Sequence, residues 1–139
     1  MTHEVELTWK GNMHFESEGP GGKVPIDGAK EFGGEGKGVR PKAMMLSALA
    51  GCAGMDISMF LKKMRIEVST FSIAVSGVLT EEHPKYYKTV ALTFAFYGAD
   101  FNKKKIEKAV DLSVNTYCGV MAMFKKFADI TVVTEYHEV

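Results

Sequence analysis

Apolar and polar residues alternate along the first part of the chain, a pattern typical of half-buried β-strands. The segment HEVELTWK, residues 3–10, predicts the first strand. Residues 13–18 and 23–27 predict two more, joined by a tight Gly/Pro turn. Residues 28–39 contain five glycines and predict a flexible loop. The chain is therefore expected to begin with three short strands followed by a connecting segment.

The longest apolar stretch covers residues 43–61, after Pro41, a residue that fits the first turn of a helix. Only two serines and Asp56 interrupt it. Its length meets the criterion for a membrane span, but the sequence has no second such run and much of this one is Ala and Gly. A helix that is apolar on nearly every side must be buried. A chain of 139 residues cannot easily surround it alone, so we expect a second subunit to cover it.

The second half of the chain predicts a long β-hairpin, two further helices and a last strand. STFSIAVSGVLT and YYKTVALTFAFYG alternate as strands around a turn at EEHP. Residues 100–117 have helical spacing, with Asp100 or Asn102 as the cap, and Gly119 is expected to break or bend that helix. DITVVTEYHEV predicts the last strand. The order βββ–α–ββ–α–α–β indicates one α+β domain over residues 1–139, with helices packed on antiparallel sheet.

Composition excludes several functional classes. Seventeen basic residues balance seventeen acidic ones, so the chain lacks the positive charge that nucleic-acid binding requires. The first ten residues have neither the basic nor the apolar region of a signal peptide. Two cysteines do not make the framework of a disulfide-stapled domain. We expect a soluble cytoplasmic protein with reduced thiols, no cofactor and no metal, and neither nucleic acid nor membrane as a partner.

The two cysteines are the candidate chemical groups. Cys52 lies in the apolar run and Cys118 far along the chain, each beside glycine, and neither belongs to a C-x-x-C motif or a Cys/His cluster. Asp56 follows Cys52 by one helical turn on the same face. A carboxylate there would raise the pKa of the thiol, so we interpret Asp56 as an orienting hydrogen-bond acceptor. On these residues alone, the favoured interpretation of such a cysteine is a small, inert core residue.

Three blocks of sequence occur in the order of a known family: RPKAMMLSALAGCAGMD, EEHPKYYKTVALTF and KIEKAVDLSVNTYCGV. With both cysteines in register, they resemble the OsmC/Ohr family of thiol-dependent hydroperoxide reductases, and its OsmC-like branch more than Ohr proper. The resemblance extends over residues 9–136. It implies an intertwined homodimer in which antiparallel sheets wrap around central helices, with active sites at the subunit interface.

The resemblance also implies roles for the cysteines. Cys52 would be the peroxidatic residue that reduces an organic hydroperoxide and becomes a sulfenic acid. Cys118 would be the resolving residue that converts it to an intramolecular disulfide. An external dithiol would then reduce this disulfide by exchange.

The sequence departs from the family at two charged positions. The family has a glutamate just after the proline that opens the central helix, where this chain has Lys42 and Ala43. The family also stabilises the thiolate with an arginine from its N-terminal strand region, and here no arginine precedes Arg40. Arg40 or Lys23 is the candidate replacement, although lysine lacks the bidentate geometry of a guanidinium.

Two alternatives to the peroxidase remain open at this point. The chain could be a non-catalytic dimer of the same fold that binds a small apolar or thiol-reactive ligand at its interface. It could also be a purely structural dimer in which both cysteines are core residues, in which case the two sulfurs would lie too far apart to bridge.

Overall fold

The computed structural model describes residues Met1–Val139, which form two compact units, Met1–Met45 and Leu46–Val139. Each unit has its own three-stranded sheet. The predicted combination of helices and sheets, an α+β fold, is confirmed.

The first unit contains the three predicted strands as an antiparallel sheet. They are β1, Glu6–Trp9; β2, Phe15–Gly19; and β3, Gly22–Ile26, in that order across the sheet. Gly21 occupies the turn between β2 and β3 with a φ of 88°, a conformation that glycine adopts without steric cost.

The glycine-rich loop after β3 is organised around the carboxylate of Asp27. This buried side chain accepts backbone hydrogen bonds from Gly28 at 2.7 Å, Glu35 at 3.3 Å and Lys37 at 3.0 Å. These bonds lower the pKa of Asp27, the bond from Lys37 most strongly, because they stabilise the ionised form. The loop also contains a short 3-10 turn, Lys30–Phe32.

Helix α1 extends over Pro41–Lys63. Its buried residues are Leu49, Ala53, Ile57 and Phe60, and their spacing of three and four places them on one face. The helix is therefore buried along one stripe within the chain, and burial of its other side by a second subunit stays a prediction. It is the one helix long and apolar enough to cross a membrane by length and composition, and 22% of its most apolar window is buried.

The sheet of the second unit is mixed. Strand β4, Thr70–Leu79, pairs antiparallel with β5, Tyr87–Gly98, as the predicted hairpin requires. Strand β6, Asp129–Glu138, pairs with the other side of β5 but runs parallel to it. The expectation of a wholly antiparallel sheet is wrong for β6, because the chain returns to β5 through helices and not through a hairpin.

The helical segment between β5 and β6 is interrupted by a bend. Helix α2, Lys103–Leu112, begins at Asn102, whose side chain accepts a hydrogen bond from Lys105 N at 3.2 Å. It continues into a single π-helical turn, Ser113–Tyr117, and the chain then bends before α3, Gly119–Phe124. The core between these helices, α1 and the sheet includes the following fully buried side chains: Leu49, Ile57, Leu92, Phe94, Phe96, Ile106 and Met121.

Candidate functional site

Both cysteines lie in the second unit, and they differ in exposure. Cys52 is half-buried on α1, and Cys118 is buried with 4% of its surface exposed. Cys118 has an extended backbone conformation, φ −73° and ψ 103°, at the bend between the π-helical turn and α3. Its Sγ accepts a hydrogen bond from Met121 N at 3.4 Å, so the thiol caps the first turn of α3. Both thiols are free.

The two thiols are close enough to interact directly. Burial is the main reason that the pKa of Cys118 rises to about 11, and the Met121 N–H opposes this rise. The neighbouring Cys52 thiol raises the pKa further, and the Asp56 carboxylate adds a smaller repulsion. At neutral pH, Cys118 is therefore a protonated thiol beside the more accessible Cys52.

Asp56 connects α1 to the segment that carries Cys118. Its Oδ2 accepts a hydrogen bond of 2.9 Å from Ser113 Oγ, and Ser113 is fully buried. The carbonyl oxygen of Ser113 in turn accepts a hydrogen bond of 2.8 Å from Cys118 N. Asp56 is thus a hydrogen-bond acceptor for Ser113, and its role in orienting the thiol stays a prediction.

Ser113 is the residue at this site that sequence reasoning missed. The helical spacing of residues 100–117 places it on a helix but gives it no chemical role. The available signal was its hydroxyl, because a buried serine requires a hydrogen-bond partner.

The two candidate cations, Lys23 and Arg40, belong to the first unit. Lys23 Nζ lies 3.6 Å from Glu16 and 3.8 Å from Glu18, both weak exposed ion pairs. Arg40 Nη1 donates to the carbonyl oxygen of Gly38 at 2.7 Å. The guanidinium is exposed and has no carboxylate partner in the chain. Their role as thiolate stabilisers stays a prediction.

A cavity of about 500 Å³ lies within the first unit. Its lining is mostly apolar and includes Leu7, Met13, Phe15, Ile26 and Pro41, with Asn12 and Asp27 as polar members. Its volume suits a small organic molecule.

One family model and one curated relative match most of the chain. The family model described as OsmC-like protein matches residues 34–133. Protein YhfA of Escherichia coli K12 is 30% identical over 129 residues, which make up 92% of this chain and 93% of YhfA.

Solved structures show the same fold. A hypothetical protein from Aquifex aeolicus VF5 is 31% identical with a TM-score of 0.87, over 100% of this chain and 98% of its own. The organic hydroperoxide resistance protein OsmC from Legionella pneumophila is 19% identical with a TM-score of 0.72, over 97% of each chain. At that identity the similarity concerns the fold alone.

Proposed function

Because this chain belongs to the OsmC-like family, we propose that it is a thiol-dependent peroxidase that reduces organic hydroperoxides with Cys52 and Cys118. The observation that carries the proposal is the proximity of two free thiols that lie far apart in sequence. The family resemblance implied this arrangement. An inert pair of core cysteines does not require this arrangement.

The reaction has two steps at the protein. The Cys52 thiolate attacks the terminal oxygen of the hydroperoxide, the O–O bond breaks, and the alkoxide takes up a proton and leaves as an alcohol. Cys52 is then a sulfenic acid. Cys118 attacks its sulfur, a disulfide forms, and the hydroxyl group leaves as water with the proton of the Cys118 thiol. An external dithiol restores both thiols by exchange and is itself oxidised.

The unequal environments of the two thiols support these roles. A peroxidatic sulfur must be reached by the substrate, and Cys52 is the more exposed of the two. A resolving thiol must wait unreacted until the sulfenic acid forms. Cys118 meets this requirement because burial keeps it from solvent and holds its pKa at about 11.

We also propose that the protein works as a homodimer in which the partner covers the free face of α1. Met55, Met45 and Met59 on this helix expose 76%, 45% and 40% of their surface. Such an apolar face is unfavourable in water. Sedimentation equilibrium tests this proposal: Met55→Glu is expected to weaken the dimer, whereas Met55→Leu keeps the apolar area and should not. A native chain that sediments as a monomer would contradict it.

Arg40 is our preferred thiolate stabiliser over Lys23. Lys23 already has two glutamates as neighbours, whereas Arg40 has no acidic partner. The expected result is that Arg40→Ala slows the reaction of Cys52 with peroxide, and that Lys23→Ala does not. Equal rates in Arg40→Ala and the native protein would exclude this role.

The peroxidase proposal is tested by peroxide titration of the reduced protein. We expect cumene hydroperoxide to produce one intramolecular disulfide between the two cysteines, seen by mass spectrometry after alkylation of free thiols. Cys52→Ser should consume no peroxide, and Cys118→Ser should accumulate a sulfenic acid that dimedone traps. Equal consumption by Cys52→Ser and the native protein would refute the proposal. The rate with hydrogen peroxide, a substrate that has no organic group, is compared with the rate with cumene hydroperoxide.

A second candidate function is supported by the apolar cavity of about 500 Å³ in the first unit. A non-catalytic family member could bind a small apolar ligand there without using its thiols. Binding of an environment-sensitive apolar dye that Phe15→Ala reduces, in a protein that does not consume peroxide, would favour this alternative over the peroxidase.

A further inference from the structure

One chain of hydrogen bonds runs from α1 to the backbone of Cys118. Asp56 on α1 accepts from the Ser113 hydroxyl at 2.9 Å, and the Ser113 carbonyl accepts from Cys118 N at 2.8 Å. Asp56 lies one helical turn after Cys52 on the same face of α1. The same helix therefore carries one thiol and holds the segment that carries the other.

We infer that Asp56 and Ser113 are positioning residues, which hold Cys118 against Cys52 and thereby set the rate at which the disulfide closes. The inference rests on the proposed function in one respect: it identifies the closure of the disulfide between Cys52 and Cys118 with the resolving step of the peroxidase reaction. Closure itself is a property of the two thiols and can be measured without any peroxide.

The local backbone explains why the hydrogen bond from Ser113 to Asp56, the tether, matters. Ser113 begins a π-helical turn, a conformation that is rare and frequent at functional sites. The chain then leaves the helical conformation at Cys118, whose backbone N–H keeps one hydrogen bond, to Ser113 O, with the turn before it. A fixed point at Ser113, five residues before the cysteine, limits the freedom of the whole turn.

Other contacts of this turn do not replace the tether. Asn115 Nδ2 donates to Asp111 at 2.7 Å, and Lys125 Nζ donates to Val114 O and to Asn115. These bonds join the turn to α2 and to the end of α3. The bond from Ser113 to Asp56 is the only side-chain hydrogen bond between the turn and α1.

Packing also reaches the turn from α1, but without the same geometric control. Phe60 and Tyr117 have ring centroids 5.7 Å apart. Contacts between aromatic rings tolerate several geometries, whereas a hydrogen bond weakens steeply when its angle changes. Asn115 donates to Asp111 on the other side of the turn. Asn115→Ala is therefore a matched control that loses one bond of the turn but leaves the bond from Ser113 to Asp56 intact.

The experiment measures closure with Ellman's reagent on the reduced, full-length protein. The Cys52 thiolate attacks the reagent, releases one thionitrobenzoate and becomes a mixed disulfide. Cys118 then loses its proton to solvent, attacks Cys52 Sγ, forms the protein disulfide and releases a second thionitrobenzoate. The second release reports closure alone, and the first reports the accessibility and reactivity of Cys52.

We expect Ser113→Ala to slow the second release about tenfold and to leave the first within about twofold, because a hydrogen bond to a charged group is lost. Asp56→Ala removes the same bond from the other side, and it also removes the charge that raises the pKa of Cys118. Its second release is therefore compared with that of the native protein at equal Cys118 thiolate fraction, where it should be slowed similarly. Asp56→Asn keeps an oxygen acceptor and is expected to restore closure relative to Asp56→Ala. Asn115→Ala should leave both phases unchanged.

Two outcomes would overturn the inference. One is closure at the native rate in both Ser113→Ala and Asp56→Ala. The other is equal slowing in Asn115→Ala, which would mean that any loosening of the turn has the same effect. Failure of the peroxidase proposal gives a different result, because Cys52 would then not react with hydroperoxide while the second thionitrobenzoate is still released at a rate that depends on Ser113.

Discussion

The sharpest prediction concerns the ionisation of the Cys118 thiol in the reduced protein. Its pKa is raised from an ordinary 9.0 to about 11, first by burial and then by Cys52 and Asp56. A thiol with the ordinary value is half ionised at pH 9, whereas one with a pKa of 11 is only about 1% ionised there. At pH 7 the thiolate fractions are roughly one in a hundred and one in ten thousand.

Selective ¹³Cβ labelling of cysteine and an NMR titration test this directly, because the two cysteines give two signals and Cys52→Ser identifies them. The Cys118 signal is expected to stay at its thiol position through pH 9 and to begin moving only above about pH 10. Asp56→Asn should lower the midpoint, since it removes a repulsive charge. A midpoint at or below pH 9 in the folded protein would refute the assigned environment.

This ionisation has consequences for closure and for stability. Closure requires the Cys118 thiolate, so its rate should rise about tenfold per pH unit in the neutral range. Because the folded pKa is the higher one, the native protein retains a proton that the unfolded chain loses above pH 9. The free energy of unfolding is thus unaffected by this group well below pH 9 and falls as the pH rises from 9 toward about 11. Urea denaturation between pH 8 and 10.5 measures this, and a Cys118→Ser protein should lack that part of the slope.

Three further predictions concern stability, each measured by urea denaturation. Leu49→Ala empties a fully buried position on α1 and should cost about 2–5 kcal/mol; a smaller loss than 1 kcal/mol would contradict its place in the core. Gly77→Ala puts a Cβ 2.5 Å from the buried ring of Tyr87 and should cost about 1–3 kcal/mol, whereas Gly22→Ala meets nothing within 4 Å and serves as its control. Asp27→Asn should destabilise the protein at pH 7 because its folded pKa is lowered, and this difference should shrink as the pH falls through that pKa; a difference of equal size at pH 3 would argue against it.

The elements that sequence periodicity predicted well are those with a single repeating environment. Strand β4 alternates half-buried and exposed residues over Thr70–Leu79, which is the pattern that a two-faced sheet imposes. The bend at Cys118 was also foreseen from Gly119, although a π-helical turn precedes it. Local steric preference was sufficient at both positions.

The direction of β6 was not predictable in the same way. Alternation over Asp129–Glu138 indicates a strand with one buried face, but it is identical for parallel and antiparallel partners. The direction depends on where α2 and α3 return the chain to β5. That is a property of helix lengths and packing, and no residue within β6 encodes it.

The candidate site also combines features that the sequence could predict with features that it could not. Composition and spacing left both cysteines open to an inert interpretation, and their expected meeting came from the family resemblance. The tether from Ser113 to Asp56 was outside the reach of either argument, because it joins two residues remote in sequence. A buried serine and an aspartate in an apolar helix each require a polar partner, but only the fold pairs them.

Two different contacts explain why α1 is apolar on more than one face: one face packs in the core of the chain, and the other is proposed to pack against a second subunit. A helix that needed burial on one side only would have charged residues on the other, yet Asp56 is the only charged residue between Lys42 and Lys62. The core of the chain accounts for one stripe, which includes Leu49 and Ile57. The exposed remainder, with Met55 at 76%, is only partly covered by this chain, which is the physical argument for a second copy against it. The effect of Met55→Glu on self-association is therefore the measurement on which the dimeric part of the proposal depends.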